Sequence, residues 1–256
     1  MIAPLEKKPL SPVIQSLLIV LAALFLFTVQ TAFSLLGAQA ANLFSYRQID
    51  PGGAFAWISV HHIIQGAAIL AVMALISLFL KVDFKLGLGD KRAGLRIVFW
   101  FTVIIAVYQF AMWFLLDALS LSKPFAYPVN TRNVLGAVAF QLLLSGTSEE
   151  LLFRAFPVTL LMLLTQKTFR LFKGRVQLPP AVIIAAVMFS LAHVNWTVSP
   201  FQLHYDILQL LYALAMGLVQ GWAYVKTRSV VYPMMMHGIS NVIVTGISIV
   251  MPILFR

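Results

Sequence analysis

Residues 141–154 read Gln141-Leu-Leu-Leu-Ser145-Gly-Thr-Ser148-Glu149-Glu150-Leu-Leu-Phe-Arg154, inside an apolar run that extends from about 133 to 164. Two carboxylates and a guanidinium in so apolar a run cost several kcal/mol each if lipid surrounds them. The rest of the chain says that lipid does. Hydrophobic residues make up 61% of its 256 residues and charged residues 10%. A soluble domain of this length has no core large enough to hide that much apolar surface. About 20 apolar helical residues cross a bilayer. Seven runs are candidate spans: 12–36, 57–80, 97–120, 133–164, 179–193, 205–225 and 230–254. The runs are continuous rather than alternating every second residue, so helices are expected in place of barrel strands. The expected fold class is all-α: a polytopic transmembrane helical bundle of seven to eight spans around a polar cavity.

Several features refine that expectation. The fourth run is too long for one straight crossing, and Pro157 is expected to bend or break it by removing a backbone donor. The fifth is short, and the polar stretch His193–Asp206 follows it. The first run is read as a retained span, not a signal peptide, because it is long and lacks a small-residue cleavage site. No internal repeat is visible. Residues 1–130 form an N-terminal set of helices without motifs, and 131–256 form a core that holds the polar intramembrane residues. There are no cysteines, so disulfides, thiolate ligands and a cysteine nucleophile are excluded.

The net charge of +10 comes from short loops between apolar runs, which favours a lipid bilayer as partner and no nucleic acid. With the N-terminus in the cytoplasm, 13 of the 18 basic residues fall on that side: Lys7, Lys8, Lys81, Lys85, Lys91, Arg92, Arg96, Lys167, Arg170, Lys173, Arg175, Lys226 and Arg228. Four (Arg47, Lys123, Arg132, Arg256) fall opposite, and Arg154 lies inside a span. The expected topology is multi-pass with a cytoplasmic N-terminus.

Successive helical residues turn by about 100°. Gln141, Ser145 and Ser148 then share one stripe, and Glu149 borders it. Glu150 lies roughly opposite, four residues before Arg154, in the favourable order for a same-helix ion pair. Glu149 has no cation nearby on its own helix and is the candidate general base. His193 ends the string Phe189-Ser-Leu-Ala-His193. His237 and Asn241, in Pro233-Met-Met-Met-His237-Gly-Ile-Ser-Asn241, lie four apart and point to one side of a helix. Each signal alone has a plain structural reading: a span-end histidine at the interface, or a His–Asn contact between helices. Together they bring one acid, two imidazoles and one amide from three spans. His61 and His62 are read as interfacial, Asp206 as a helix-start residue, and Gly217 with Gly221 as a close-packing face.

The three strings resemble the EExxxR, FxxxH and HxxxN motifs of the CPBP family, the CAAX proteases and bacteriocin-processing enzymes, also called the ABI family. The resemblance covers about residues 130–250. It implies an intramembrane endopeptidase similar to type II CAAX prenyl endopeptidases. It implies that Glu149 activates water with help from His193, that His237 and Asn241 stabilise the oxyanion, and that Glu150 and Arg154 form a supporting pair. The implied partner is a protein or peptide substrate, membrane-anchored or prenylated. Glu149, His193 and His237 are also a possible zinc ligand set, although the His-Glu-x-x-His pair of zincins is missing. A glutamate mechanism without cofactor is the first expectation and zinc the alternative. Two other functions stand beside the protease: a transporter or proton relay, and a non-catalytic immunity or scaffold protein.

Overall fold

The computed structural model describes residues 11–165, 168–171 and 176–255. Lys7, Lys8, Lys167, Lys173, Arg175 and Arg256, assigned to loops or ends by charge, lie outside the described residues. Three long helices come first: α1 (Pro12–Ala41), α2 (Ala56–Leu80) and α3 (Lys91–Ala118). The fourth run is a composite. It comprises α4 (Thr131–Phe140), a π-helical segment Gln141–Ser145, α5 (Gly146–Glu150), a second π segment Leu151–Ala155, and α6 (Phe156–Met162). Then follow α7 (Pro180–Leu191), α8 (Ile207–Thr227) and α9 (Val231–Leu254). The fold is an all-α membrane bundle.

Not every apolar run is long and regular enough to be a plain full crossing. Among the described residues five helices, α1, α2, α3, α8 and α9, are long and apolar enough to cross a bilayer. With 12 residues, α7 is about 18 Å long, against a hydrocarbon core of about 30 Å. The composite is interrupted by its π segments, so the bundle has about five to seven spans. Large side chains on α1 and α3 that point out of the bundle, such as Leu24, Phe25, Ile104 and Val107, are exposed, as lipid-facing residues should be.

The composite does not break at Pro157. The distortion falls on the turn before it, Leu151–Ala155, which widens to π geometry. In that register the carbonyl left without a donor by a proline is the one five residues back, that of Leu152. The buried Gln30 side chain on α1 donates to that carbonyl at 2.8 Å. The polar side chain on α1 thus answers the proline on the composite.

Close approaches set the helix positions. A Cβ at Gly146 would come within 2.9 Å of both the Gly238 nitrogen and the Met234 carbonyl, and one at Gly238 within 2.7 Å of the Leu142 carbonyl. The paired glycines let the composite and α9 meet backbone to backbone, beside Glu149 and His237. Gly217 packs on Ala186 and Gly221 on Val182, joining α8 to α7 as the small-residue spacing predicted.

Loops brace the two ends. The segment between α2 and α3 binds the α8–α9 turn: Asp90 N–H donates to Thr227 O (2.8 Å) and Val230 N–H to Lys85 O (3.0 Å). This gathers Lys81, Lys85, Lys91, Arg92, Lys226 and Arg228 at one end of the bundle. At the other end the buried Asp50 carboxylate accepts the backbone N–H groups of Ala54, Phe55 and Ala56 at 2.7–2.8 Å and opens α2. Two short antiparallel hairpins, absent from the sequence reading, fill connections. They are β1 (Phe169–Leu171) with β2 (Val176–Leu178), and β3 (Asn195–Val198) with β4 (Phe201–His204). The second occupies the stretch read only as polar, where Trp, Thr and Val flank a Ser199-Pro200 turn.

Asp50 supplies a test of this frame. Burial raises the Asp50 pKa, but the backbone N–H donors outweigh it and hold the carboxyl below the ordinary 3.8. A lowered folded value means that the stability it contributes is present above the ordinary range and lost as pH falls below it. Asp50→Ala is expected to lower the thermal midpoint in detergent, at a cost of about 1–3 kcal/mol for stranded donors. The difference between variant and parent should shrink as pH drops below about 4.

Candidate active site

Four elements bring polar side chains to one place. The composite contributes Gln141, Ser145, Ser148, Glu149 and Glu150, and α9 contributes His237 and Asn241. His193 stands just past the end of α7, and α2 adds His62 and Gln65. A cavity of about 320 Å³ has Glu149, His193, His237 and Asn241 on its wall, together with His62, Gln141 and Ser145. The sequence-derived quartet therefore shares one space.

Glu149 is 19% exposed, into the cavity, while Glu150 is fully buried. One ring connects the two acids. His237 Nδ1 lies 2.8 Å from Glu150 Oε1, and its Nε2 stands 3.7 Å from Glu149 Oε2. The helical-wheel reading put Glu150 opposite the polar stripe. In the structure the 100° between neighbours is bridged by a single imidazole lodged between their carboxylates. Glu150 Oε2 also meets Arg154 Nε at 3.1 Å, with both side chains fully buried. Arg154 donates to Gln220 Oε1 at 2.5 Å and lies over the Phe189 ring at 4.1 Å.

Partners fix ring protonation. Glu150 can only accept, so His237 Nδ1 carries a proton. His193 Nδ1 lies 2.9 Å from the Phe189 carbonyl, which also can only accept. His193 Nδ1 therefore carries a proton, and its Nε2 points away from that bond. A protonated His237 makes the group Glu149, Glu150, Arg154 and His237 electrically neutral, the arrangement that buried charge favours. Asn241 Nδ2 donates to Gln141 Oε1 at 2.9 Å and to Ser145 Oγ at 3.1 Å. Ser145 Oγ in turn donates to Glu149 Oε1 at 3.3 Å.

Two residues read as interfacial are buried instead. His61 is 9% exposed and His62 8%. His62 Nδ1 lies 2.5 Å from Ser148 Oγ, and its Nε2 3.9 Å from Glu149 Oε1. Their place at the beginning of the second run suggested the membrane surface; close packing of α2 on α1 at Gly37 and on the composite at Gly66 buries them instead. Gln65, one turn on from His62, was the available signal: both polar groups fall on one face of α2. A second cavity of about 230 Å³, lined by Gln30, His61 and Gln65, also reaches Glu149, His62, Phe189 and His193.

Among the described residues no group of three or more His, Cys, Asp or Glu side chains converges in an arrangement that could hold a metal. Glu149, His193 and His237 line one wall without meeting at one coordination point.

Residues 131–243 match the model of a protein family described as type II CAAX prenyl endopeptidase Rce1-like. The match bears out the resemblance read from the three motifs, which all fall within it. No curated protein and no solved structure matches the chain. The matched region is thus similar to a family of proteases, and the long apolar helices are those of an integral membrane protein.

Proposed function

We propose that this chain is an intramembrane endopeptidase in which Glu149 activates water for peptide hydrolysis. The observation that carries the reading is the shared cavity wall: Glu149, His193, His237 and Asn241 reach one polar space from three separate helical elements. The water-derived proton has two acceptors there, the Glu149 carboxylate and, in the neutral ring, Nε2 of His193. Water oxygen attacks the carbonyl carbon while Glu149 takes one proton. Nε2–H of a protonated His237 faces the developing oxyanion. Asn241 joins it when the Gln141 and Asn241 amides rotate together, so that Gln141 donates and an Asn241 N–H turns to the cavity. Collapse breaks the C–N bond, and Glu149 passes its proton to the leaving amine.

The substrate is a peptide whose end carries an apolar chain, in the manner of a prenylated CAAX protein. An apolar groove of about 720 Å³ between α3 and α8, lined by Trp100, Ile104 and Tyr108, shares Tyr212 and Met216 with the cavity. It offers such a chain a berth next to the scissile bond. The N-terminus faces the cytoplasm, in keeping with the basic residues gathered where the α2–α3 loop meets the α8–α9 turn.

The test uses the purified protein in proteoliposomes with a farnesylated CAAX peptide, in water enriched in oxygen-18. Release of the C-terminal tripeptide, with one heavy oxygen in the new carboxylate of the farnesylated product, is expected. Solute flux without proteolysis would replace the protease reading with a transporter. Because the donors do not meet at a metal point, cleavage is expected to persist within twofold in 1,10-phenanthroline. A tenfold loss restored by added zinc would put a metal in the mechanism.

A further inference from the structure

His62 lies on α2, ahead of the residues that carry the family match, yet its ring is buried beside Glu149. Its Nε2 faces Glu149 Oε1 at 3.9 Å, while His237 faces Oε2 at 3.7 Å. The carboxylate thus stands between two imidazoles from different helices. The other ring nitrogen of His62, Nδ1, is 2.5 Å from Ser148 Oγ. The next acceptors open to that hydroxyl, Gln65 Oε1 at 3.4 Å and the Ser145 carbonyl at 3.5 Å, are long for O–H···O bonds. Ser148 therefore donates to Nδ1, which leaves the ring proton on Nε2, on the side of Glu149. The edge of Phe140 at 5.1 Å holds the ring plane. Gly66 allows the approach: a Cβ there would stand 3.3 Å from the Ser148 Cβ.

We infer that His62 is a positioning residue for Glu149: its Nε2–H draws Oε1 and so turns Oε2 toward His237 and the cavity. At 3.9 Å the contact is looser than a hydrogen bond, and such pairs tighten when substrate closes the site. The site then includes the N-terminal helices, with Ser148 of the composite and His62 of α2 acting as one unit. The role of the oriented carboxylate rests on the proposed function; the orientation itself does not.

Two readouts keep those apart. Dicyclohexylcarbodiimide modifies protonated carboxyls in apolar surroundings, and Glu149→Gln removes the attachment point at that position while leaving Glu150. In full-length protein at pH 7, mass spectrometry reads the label on Glu149. His62→Asn keeps an amide near Ser148 but removes the N–H that reaches Glu149. It is expected to raise labelling at least threefold and lower kcat on the farnesylated peptide about tenfold, with KM unchanged. The longer amide of His62→Gln reaches as far as Nε2 and should hold both within threefold of the parent. Ser148→Ala, which leaves the ring but frees its tautomer, should shift both in the same direction as Asn and serves if His62→Asn fails to fold. Equal labelling in parent, His62→Asn, His62→Gln and Ser148→Ala overturns the inference whether or not the peptide is cut. The labelling pattern without cleavage would uphold the positioning role and reject the protease reading alone.

Discussion

Replacing Glu149 by glutamine is expected to lower kcat on a farnesylated CAAX peptide by about 10²–10⁴-fold, the usual worth of a positioned general base. The substitution keeps the shape of the side chain and its bond from Ser145 Oγ, so the bundle should fold as before. What disappears is the negative charge that takes a proton from water and offsets a protonated His237. Glu150→Gln removes a charge one residue away but strikes a different partner, the Nδ1 side of His237, and should affect folding as well as rate. The measurement is initial rate on protein that elutes as a single species in detergent and melts within a few degrees of the parent. A Glu149→Gln protein working within threefold of the parent would leave the carboxylate without a chemical role and favour the scaffold alternative.

Loss of the Arg154 guanidinium is expected to be the most damaging structural change. Arg154→Ala would leave Glu150 Oε2 without its cation and the buried group with one uncompensated negative charge, and removing one partner of a buried pair typically costs about 3–5 kcal/mol. It would also take away the donor to Gln220 and the cation over Phe189. Because Phe189 also packs edge-on against the His193 ring, with centroids 4.9 Å apart, the damage should spread to the site. Arg154→Lys keeps the charge but neither the planar fork nor the stacking, and should fall between the two. Yield of folded protein and thermal midpoint in detergent measure this. A variant Arg154→Ala as stable as the parent would mean that Glu150 is neutralised by some other route, and the charge balance described above would fail.

Much of this molecule was legible in its residues, for a reason that differs between levels. Continuous apolar runs declare helices in lipid, because a bilayer leaves the backbone no other partner than itself. Charged groups in those runs declare a site, because lipid penalises them too heavily to be kept idle. The spacing of Glu150 and Arg154, and of His237 and Asn241, needed only helical geometry.

The rest required the helices to meet. The partner of Glu149 on the His62 side comes from a helix some 87 residues earlier in the chain, and no periodicity links them. That both acids share the His237 ring depends on the Gly146–Gly238 crossing, which sets the depth and rotation of α9 against the composite. The fate of Pro157 depended on Gln30, a side chain on another helix that satisfies the carbonyl the proline strands. Composition and local spacing act within a helix or between helix and solvent, so one chain segment suffices to read them. Which nitrogen faces which oxygen depends on the packing of separate helices, whose close approach only the tertiary structure decided.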